Sequence, residues 1–585
     1  SILFYGQAVA SKYTADNVYW LTYDPLGTTT GLRMAPRDGT PDDAATPAYY
    51  PARRQMEANV YYRQTAPGDD ALERWLWGYA YPPSQPSWTH TFSLAAPYDG
   101  DYDEATLTVV MLGSLANPVY PDHHVTISLN GTQVADVTWD GITWQTVQVP
   151  VAQGLLQAGD NTLSVTCPND TGVGYDLVFV DRVALEFANT FVAEANVLPI
   201  SYDASGTWKF QVDGFTTDQL AIYDVTDPAA VVRMENTDVA GAGPYSVLFQ
   251  DTLAAPADYW AMASTAYQTV QAIEADTASD LSSTDHGAEH LVITHPQFAA
   301  QAAQLSGFRA SQGLSSMSVD VQDVYDEFGH GLVGAAPIHD FLAYAYDQWA
   351  VAPSFVVLVG DGHYDPKDYA GYGKVSYLPP YLAAADPWDV ETAADNRYVT
   401  LVGDDTLPDM MLGRLAVNSS AEASAAVDKI VAYEQNPVEG DWQQRVLAVA
   451  DNADEGGNFA ALSDSLLGCC LPEPYEAQRV YYGVTHSTLS DARTAIQEGI
   501  NAGALIVNYI GHAGTNAWEH DGLFINTDVA GLSNGGKLPV MVPMSCMEGY
   551  YIYPMLDSDY DAVAEVVTRA VGKGAVASWS PTGKG

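Results

Sequence analysis

Hydrophobic and polar residues alternate along the first half of the chain with the period of β-strands. Val125, Ile127 and Leu129 are separated by polar residues, as on a strand with one buried face. The dipeptide Asn130-Gly131 follows directly and is typical of the two-residue turn of a β-hairpin. Several such short segments predict a β-sandwich followed by a smaller β module, so we expect the first half to be all-β.

The second half has a different pattern, in which wholly apolar segments alternate with stretches of helical period. Ser354–Asp361 is a buried strand, Phe298–Gln312 is predicted to be a helix, and a helix that starts near Leu489 would have Ser490 as its cap. Apolar strands between helices indicate a mostly parallel sheet covered on both faces. In such sheets the functional residues lie beyond the carboxyl ends of the strands.

The predicted fold class is therefore multidomain, with an all-β amino-terminal part followed by an α/β part. The expected domains are a β-sandwich, a small β module with a linker, and two α/β subdomains, at residues 1–189, 190–288, 289–438 and 439–585.

Composition and charge narrow the classes of function. The 585 residues carry 23 Lys and Arg against 73 Asp and Glu, which gives a net charge of −50. This charge argues against nucleic acid and anionic membranes as partners, because both require a basic surface. No apolar run approaches the ~18 residues that span a bilayer. Only 16% of the residues are charged, and the scarcity of Lys and Arg favours an extracellular or cell-surface location.

Four cysteines are too few and too scattered for a disulfide scaffold. They are Cys167, Cys469, Cys470 and Cys546. No Cys/His spacing is typical of zinc, and the adjacent pair is not expected to form a disulfide. We therefore expect one cysteine to be present for its chemistry.

Two of the apolar strands end in reactive residues. "ALIVNYIGHAG" leads to His512 between glycines, and "LPVMVPMSC" leads to Cys546. A thiol needs a base to become the attacking thiolate, and a His at a neighbouring strand end supplies one. The ordinary alternative is a small buried thiol and an unrelated loop histidine. The glycines beside both residues favour a catalytic pair.

These segments resemble those of the gingipain family of cysteine peptidases, peptidase family C25. The similar stretches are "NYIGHAGTNAWEHDGLF", "LPVMVPMSCMEGYY" and "DAVAEVVTRAVGKGAVASWSP", and the resemblance covers the chain from about Glu289. It implies a caspase-like fold and a secreted cysteine endopeptidase that acts on proteins or peptides, with Cys546 as nucleophile and His512 as general base. It also implies an oxyanion hole formed by the N–H groups of Cys546 and Ala513, where gingipains have glycine in place of Ala513.

The resemblance further implies an acid that orients the histidine. The matching stretch "VLAVADNADEGG" offers Asp451, Asp454 and Glu455. Their register with the family is ambiguous, and we favour Glu455 or Asp454 because residues past a strand end reach sideways. Solvated acids or calcium ligands are the alternative interpretation.

Substrate-binding residues are less well defined. A basic substrate side chain would need an acid in its pocket, and Asp464 is a candidate. Trp518 and Trp579 are candidate pocket walls, with ordinary packing as the alternative.

Calcium is expected as a structural ion because acidic residues cluster on loops. The main candidates are Asp557, Asp559 and Asp561, which alternate along one loop but lack the central Gly and distal Glu of a calcium loop. Further acidic loops contain Asp99, Asp101, Asp103, Glu104, Asp404 and Asp405. No organic cofactor is expected, because the Gly-rich stretch "VGDGHYDP" lacks a nucleotide-binding pattern.

Three alternatives remain open. The amino-terminal β region is either a pro-domain that blocks the cleft or a module that binds a substrate or glycan. The catalytic part could instead be a transpeptidase that attaches surface proteins, as some relatives are. It could also be the scaffold of a non-catalytic adhesin, against which the intact Cys/His pair argues.

Overall fold

The computed structural model describes residues 2–24, 26–28, 31, 33–102, 104–403 and 405–584. They form two compact units. The first comprises Ser1–Gln7, Trp20–Pro67 and Arg74–Asp276, and the second comprises Ala8–Tyr19, Gly68–Glu73 and Thr277–Gly585.

The first unit contains only β-strands and two single 3-10 turns among its described residues. Its strands are β1 (Ala35–Asp38), β2 (Tyr50–Glu57), β3 (Tyr61–Tyr62), β4 (Trp75–Leu76), β5 (Gly78–Ala80), β6 (Ser87–Leu94), β7 (Ala105–Gly113), β8 (His123–Leu129), β9 (Thr132–Trp139), β10 (Trp144–Val151), β11 (Gly159–Thr166), β12 (Val178–Asn189), β13 (Val197–Tyr202), β14 (Gly206–Phe215), β15 (Leu220–Asp224), β16 (Val232–Glu235), β17 (Asp238–Gly241), β18 (Tyr245–Leu253) and β19 (Ala257–Ala263).

The predicted β-sandwich is formed by two antiparallel sheets. One has the order β10-β7-β12-β2, with β5 also paired to β12, and the other has the order β6-β11-β8-β9. Alternate residues of β8, including Val125, Ile127 and Leu129, are fully buried between the sheets. The predicted hairpin turn joins β8 and β9, and both Asn130 and Gly131 have the positive φ that such a turn requires.

A second β module follows the sandwich, as the sequence predicts. Its sheets have the orders β1-β16-β15-β19-β13 and β14-β18-β17, around a core that includes Phe210, Phe249 and Tyr259. One strand of this module, β1, comes from before the sandwich and pairs in parallel with β16. Because this pairing joins residues about 200 positions apart, the local pattern did not indicate it.

The second unit is built from parallel strands and helices. Its strands are β20 (His290–Thr294), β21 (Ser316–Asp320), β22 (Phe355–Val359), β23 (Leu382–Asp386), β24 (Val390–Ala393), β25 (Met411–Leu415), β26 (Arg445–Ala450), β27 (Glu476–Tyr481), β28 (Ile506–Ile510), β29 (Ala517–Trp518), β30 (Phe524–Ile525), β31 (Val540–Met544) and β32 (Ala577–Ser578). Its helices are α1 (Ala299–Ser311), α2 (Val321–Gly329), α3 (Ala335–Gln348), α4 (Ser420–Gln435), α5 (Phe459–Cys470), α6 (Leu489–Ala502) and α7 (Val563–Arg569).

The parallel strands form two sheets, each with helices on both faces. The first sheet has the order β21-β20-β22-β25 and the second has the order β27-β26-β28-β31-β32. In β20, Leu291 and Ile293 pack with α2 and α3, whereas Val292 packs with α1 and α4. A strand buried on both faces must be apolar throughout, which explains the uninterrupted hydrophobic runs. No helix in the described part of the chain is long and apolar enough to span a membrane.

Two local predictions differ from the structure. The cap of α6 is Thr488, whose side chain accepts a hydrogen bond from the N–H of Asp491, and not Ser490, which lies within the helix. Cys469 and Cys470, at the end of α5, form a disulfide, contrary to the expectation for an adjacent pair. The chain leaves the helix directly after Cys470, at an extended Leu471, so the pair is not confined to helical geometry on both sides.

The short amino-terminal segment Ala8–Tyr19 belongs to the second unit. Tyr13 packs against the core of this unit, where its hydroxyl donates to the carbonyl of Pro380 at 3.0 Å and accepts from the N–H of Leu382 at 3.1 Å. The predicted range 1–189 for the sandwich therefore includes a piece of the second unit. Only the tertiary packing of Tyr13 identifies it.

Candidate active site

Three neighbouring strands of the second sheet deliver the candidate catalytic residues to one edge. β26, β28 and β31 are parallel neighbours, and Ala450, Ile510 and Met544 are aligned in their register. His512 and Cys546 each lie two residues beyond an aligned position. Because adjacent strands are about 4.8 Å apart, the two residues leave the sheet side by side, as the sequence predicts.

The turn after β28 requires a glycine. A Cβ on Gly511 would lie 2.4 Å from the Cβ of Asp451 and 2.6 Å from the hydroxyl of Tyr509. The backbone after the turn is held at His512, whose N–H donates to Asp451 at 3.3 Å and whose carbonyl accepts from the Tyr509 hydroxyl and from the N–H of Glu519. The histidine backbone is therefore fixed on both sides.

The imidazole of His512 contacts one of the three candidate acids. Its Nε2 lies 3.1 Å from Oδ2 of Asp454, and the ring packs edge-on against Phe459 with the centroids 5.2 Å apart. The N–H of Gly456 donates to the other carboxylate oxygen of Asp454 at 2.7 Å. This Asx turn orients Asp454 towards the ring. Gly456 must remain small, because a Cβ there would lie 3.0 Å from Nε2.

The other two candidate acids have different surroundings. Asp451 is buried, and burial raises the pKa of its carboxyl despite hydrogen bonds from the N–H groups of Asn452 and His512. It therefore holds the backbone rather than the ring. Glu455 is exposed, and no hydrogen bond among the described residues joins it to His512. The sequence favoured Glu455 or Asp454 as the orienting acid. Of these two, Asp454 is the one whose carboxylate contacts the imidazole of His512.

Cys546 lies on a turn after β31 that is tied to the end of the described chain. The thiol is partly exposed and is not in a disulfide. Met547 adopts a left-handed conformation with φ of 54°, and its N–H donates to the carbonyl of Gly583 at 2.8 Å. The ammonium of Lys584 lies within electrostatic reach: its ion pair with Asp389 chiefly raises its pKa, and Cys546 adds to the shift.

The remaining cysteine outside the disulfide has no such surroundings. Cys167 is buried in the sandwich core, and burial raises the pKa of its thiol well above the usual range. A buried thiol with a raised pKa is a poor nucleophile, so Cys167 is not a candidate for the reacting residue.

The backbone geometry at Ala513 suits the predicted oxyanion hole. Ala513 lies opposite Trp518 in an antiparallel bridge, which is flanked by hydrogen bonds from Gly514 to Ala517 and from Glu519 to His512. In this arrangement the two central residues form a non-hydrogen-bonded pair, so the N–H of Ala513 points away from Trp518. This N–H can therefore donate a hydrogen bond to a group outside the hairpin.

The predicted pocket residues are not equivalent. Trp518 is fully buried and stacks on Tyr509 with ring centroids 4.5 Å apart, so it supports the histidine turn from within the core and offers no free face. Trp579, directly after β32, is 82% exposed. Asp464 is paired with Arg479 at 2.7 Å, and this hydrogen bond chiefly lowers the pKa of its carboxyl. Its charge is already compensated.

The predicted calcium ligands do not converge. Asp557 accepts from the N–H of Asp559 within its own turn, and Asp561 lies 3.5 Å from the guanidinium of Arg569. In the described part of the chain, no group of three His, Cys, Asp or Glu residues could hold a metal. Of the other acidic positions, Asp103 and Asp404 lie outside the described residues. The three aspartates of the 557–561 loop therefore do not fit a calcium site.

One buried acid near Cys546 was not singled out from the sequence. Glu548, two residues after Cys546, is fully buried, and no hydrogen bond of good geometry reaches either carboxyl oxygen from the described residues. Burial raises its pKa to about 7, against the smaller opposing effect of weak hydrogen bonding with Ser580 and Trp518. The sequence signal for this acid was its position two residues after Cys546 in "SCMEGYY". It did not predict burial, because an acid in a turn is usually exposed to solvent.

Comparisons with known proteins identify a family for the second half of the chain. The model of peptidase family C25 matches residues 283–585, just over half of the chain. Gingipain R2 of Porphyromonas gingivalis is 26% identical over 261 residues, which cover 43% of this chain and 30% of that protein. Lys-gingipain W83 of the same species is 24% identical over 211 residues, which cover 34% and 12%. The matches thus span less than a third of either gingipain.

A solved structure supports the fold over a longer stretch. Dimeric latent PorU from Porphyromonas gingivalis superposes with a TM-score of 0.52 and 16% identity, over 70% of this chain and 40% of that one. The predicted fold class is confirmed: an all-β amino-terminal region precedes an α/β caspase-like domain. With the family model matching more than half of its length and the Cys and His segments at one sheet edge, the chain belongs to peptidase family C25.

Proposed function

We propose that this protein is a cysteine endopeptidase in which Cys546, His512 and Asp454 perform the reaction. One observation carries the proposal: His512 and Cys546 follow aligned positions of adjacent parallel strands by the same two residues. This register brings a partly exposed thiol and an imidazole to one edge of the sheet.

The direction of proton transfer follows from which imidazole nitrogen of His512 contacts the orienting acid. Because Nε2 of His512 faces the carboxylate of Asp454, Nδ1 is the nitrogen left to take the proton of Cys546. The thiolate attacks the scissile carbonyl, and the N–H groups of Cys546 and Ala513 stabilise the oxyanion. The imidazolium protonates the leaving amine, and water then hydrolyses the thioester.

The proposed substrates are proteins or peptides outside the cell. Membership of family C25 supports the substrate class, and the net charge of −50 with few Lys and Arg residues suits an extracellular protein. We propose that the amino-terminal β region acts as a pro-domain. The structure of a complex between the pro- and mature domains of RgpB from Porphyromonas gingivalis is the precedent.

Substitution of the two reacting residues tests the function. Cys546→Ala and His512→Ala are each expected to lower kcat/KM for a fluorogenic protein substrate by at least about 10³-fold, because each removes a group that reacts. Cys167→Ala is the matched thiol control and should leave the rate unchanged. An iodoacetamide probe should label Cys546 faster than Cys167. Equal labelling, or activity that survives Cys546→Ala, would contradict the proposal.

The same assay distinguishes the rival functions. Addition of an amine nucleophile at millimolar concentration should give mainly the hydrolysed product. A dominant amide product would identify a transpeptidase. Absence of both products from a broad peptide library, after proteolytic removal of the amino-terminal β region, would favour a non-catalytic scaffold.

A further inference from the structure

The amino-terminal β-sandwich has an open cavity of about 440 Å³ at one side. It lies where the edge strands of the two sheets meet, because β2 is the edge of one sheet and β6 is the edge of the other. Its lining residues are Gln55, Met56, Glu57, Trp77 and His90. The proposed peptidase mechanism uses none of them.

The aromatic part of this cavity is a rigid corner. The rings of Trp77 and His90 are 4.3 Å apart at an angle of 61°. Behind them, the buried Trp88 packs edge-on against the Trp77 ring at 4.9 Å, and the backbone N–H of Trp77 donates to the carbonyl of Val180 at 2.9 Å. Gly78 permits this packing, since a Cβ there would lie 2.1 Å from Nε1 of Trp88. The indole is thus held in place while part of it stays accessible.

The polar part of the cavity offers both donors and acceptors. The amide of Gln55 donates to the carboxylate of Glu57 at 3.1 Å, which orients both side chains and leaves further oxygen and N–H groups on them. Burial, and to a smaller extent Arg54, lower the pKa of His90. The imidazole is therefore neutral at pH 7 and carries one donor and one acceptor.

We propose that this cavity binds a carbohydrate, with one pyranose ring stacked on Trp77. A pyranose has an apolar C–H face that suits an indole, and its hydroxyl groups both donate and accept, as Gln55, Glu57 and His90 require. The volume is within the range of small-molecule sites. A nucleotide would also stack, but its phosphates would meet Glu57 and the net charge of −50. The β-sandwich then binds the uncleaved chain, with the proposed pro-domain still attached, to glycan-bearing material.

Affinity electrophoresis of the full chain tests this site. The probes are soluble xylan, mixed-linkage β-glucan, mannan, glycol chitin and hyaluronan, each cast into a native gel. We expect at least one neutral polysaccharide to retard the protein. Trp77→Ala should weaken this binding at least about tenfold, because stacking on an aromatic ring carries much of the energy of such sites. Tyr120→Ala removes an aromatic ring that is 83% exposed on the same sandwich and should bind as the unmodified chain does.

A second variant separates binding from folding. Glu57 is exposed, so Glu57→Ala should weaken retardation without loss of packing, whereas Trp77→Ala also removes a side chain that packs on the core. Peptidase activity on a short peptide should not change in either variant. Absence of retardation by every polysaccharide, or equal retardation of both variants and the unmodified chain, would overturn the proposal. A loss that Tyr120→Ala shares would also overturn it, because the binding face would then lie elsewhere.

Discussion

Of the three candidate acids in one turn, Asp454 is the one whose carboxylate faces the imidazole of His512. Its carboxylate is held by the N–H of Gly456 on one oxygen and faces Nε2 of His512 with the other. Asp451 is buried beneath the turn, and Glu455 projects into solvent. The distinction between acids that are neighbours in sequence thus depends on the direction in which each side chain leaves the turn.

Removal of this acid should slow the reaction without abolishing it. Asp454→Asn is expected to lower kcat by about 10²-fold, because the ring loses the charge that holds its tautomer and stabilises the imidazolium. Glu455→Gln, which changes a neighbouring exposed acid, should leave kcat within twofold. Steady-state kinetics on one peptide substrate measure both. A larger effect from Glu455→Gln would assign the orienting role to Glu455 instead.

Glu548 should make the stability of the second unit depend on pH. Burial raises the pKa of its carboxyl from 4.5 to about 7, so the folded state keeps a proton that the unfolded chain releases. The protonated form stabilises the fold fully below about pH 4.5, and this contribution is lost as the pH rises to about 7. The difference corresponds to about 3 kcal/mol at most.

Glu548→Gln supplies the matched neutral side chain for this measurement. The free energy of unfolding of the unmodified chain, relative to Glu548→Gln, should fall by up to about 3 kcal/mol between pH 4.5 and pH 7.5. Urea unfolding followed by tryptophan fluorescence at several pH values measures it. A constant difference across this range would show that the carboxyl does not titrate there.

At the scale of elements, the structure contains the helices and strands that the sequence predicts for the second unit, but their first and last residues differ from the predicted ones. The prediction Phe298–Gln312 corresponds to α1, Ala299–Ser311. Helix α2 was not predicted, because its nine residues lie between a short strand and a glycine-containing turn. The sequence predicts Ser490 as the cap of α6, whereas the structure has Thr488 there. The two could not be distinguished by residue type, because Ser and Thr are both preferred at the N-cap of a helix.

The cap assignment can be checked on the helix itself. Thr488→Ala should destabilise the first turn of α6 by about 1 kcal/mol, because the N–H of Asp491 loses its side-chain acceptor. Ser490→Ala should have an effect below about 0.5 kcal/mol. Hydrogen exchange of the segment 489–502, followed by mass spectrometry, reports both. Faster exchange in Ser490→Ala than in Thr488→Ala would contradict the assignment.

At the scale of the whole molecule, the net charge of −50 is a general property that the folded chain must tolerate. Self-repulsion among like charges weakens a compact state, and salt screens it over about 10 Å at 0.1 M. Several carboxylates of the second unit are compensated locally, such as Asp464 by Arg479 and Asp561 by Arg569. The described acidic groups include no cluster of metal ligands.

The effects of NaCl and of divalent cations on the thermal midpoint of unfolding should therefore be distinguishable. The thermal midpoint is expected to rise as NaCl is increased from about 0.01 M to 0.3 M, because repulsion is screened. At equal ionic strength, a larger rise with Ca²⁺ than with Mg²⁺ would support the predicted calcium requirement at positions other than the 557–561 loop. Equal rises would contradict that requirement, and a midpoint that does not change with NaCl would contradict the repulsion argument.

By itself, the sequence determined the fold class, and it predicted that His512 and Cys546 meet at one edge of the parallel sheet. Apolar runs that end in His512 and Cys546 are sufficient for this, because a strand buried on both faces must be apolar and parallel strands end at one edge. Tertiary structure alone decided which acid faces the ring, that Trp518 is buried while Trp579 is exposed, and that Asp464 is already paired. The reason is physical: burial and ion pairing depend on segments distant in sequence, which no local pattern records.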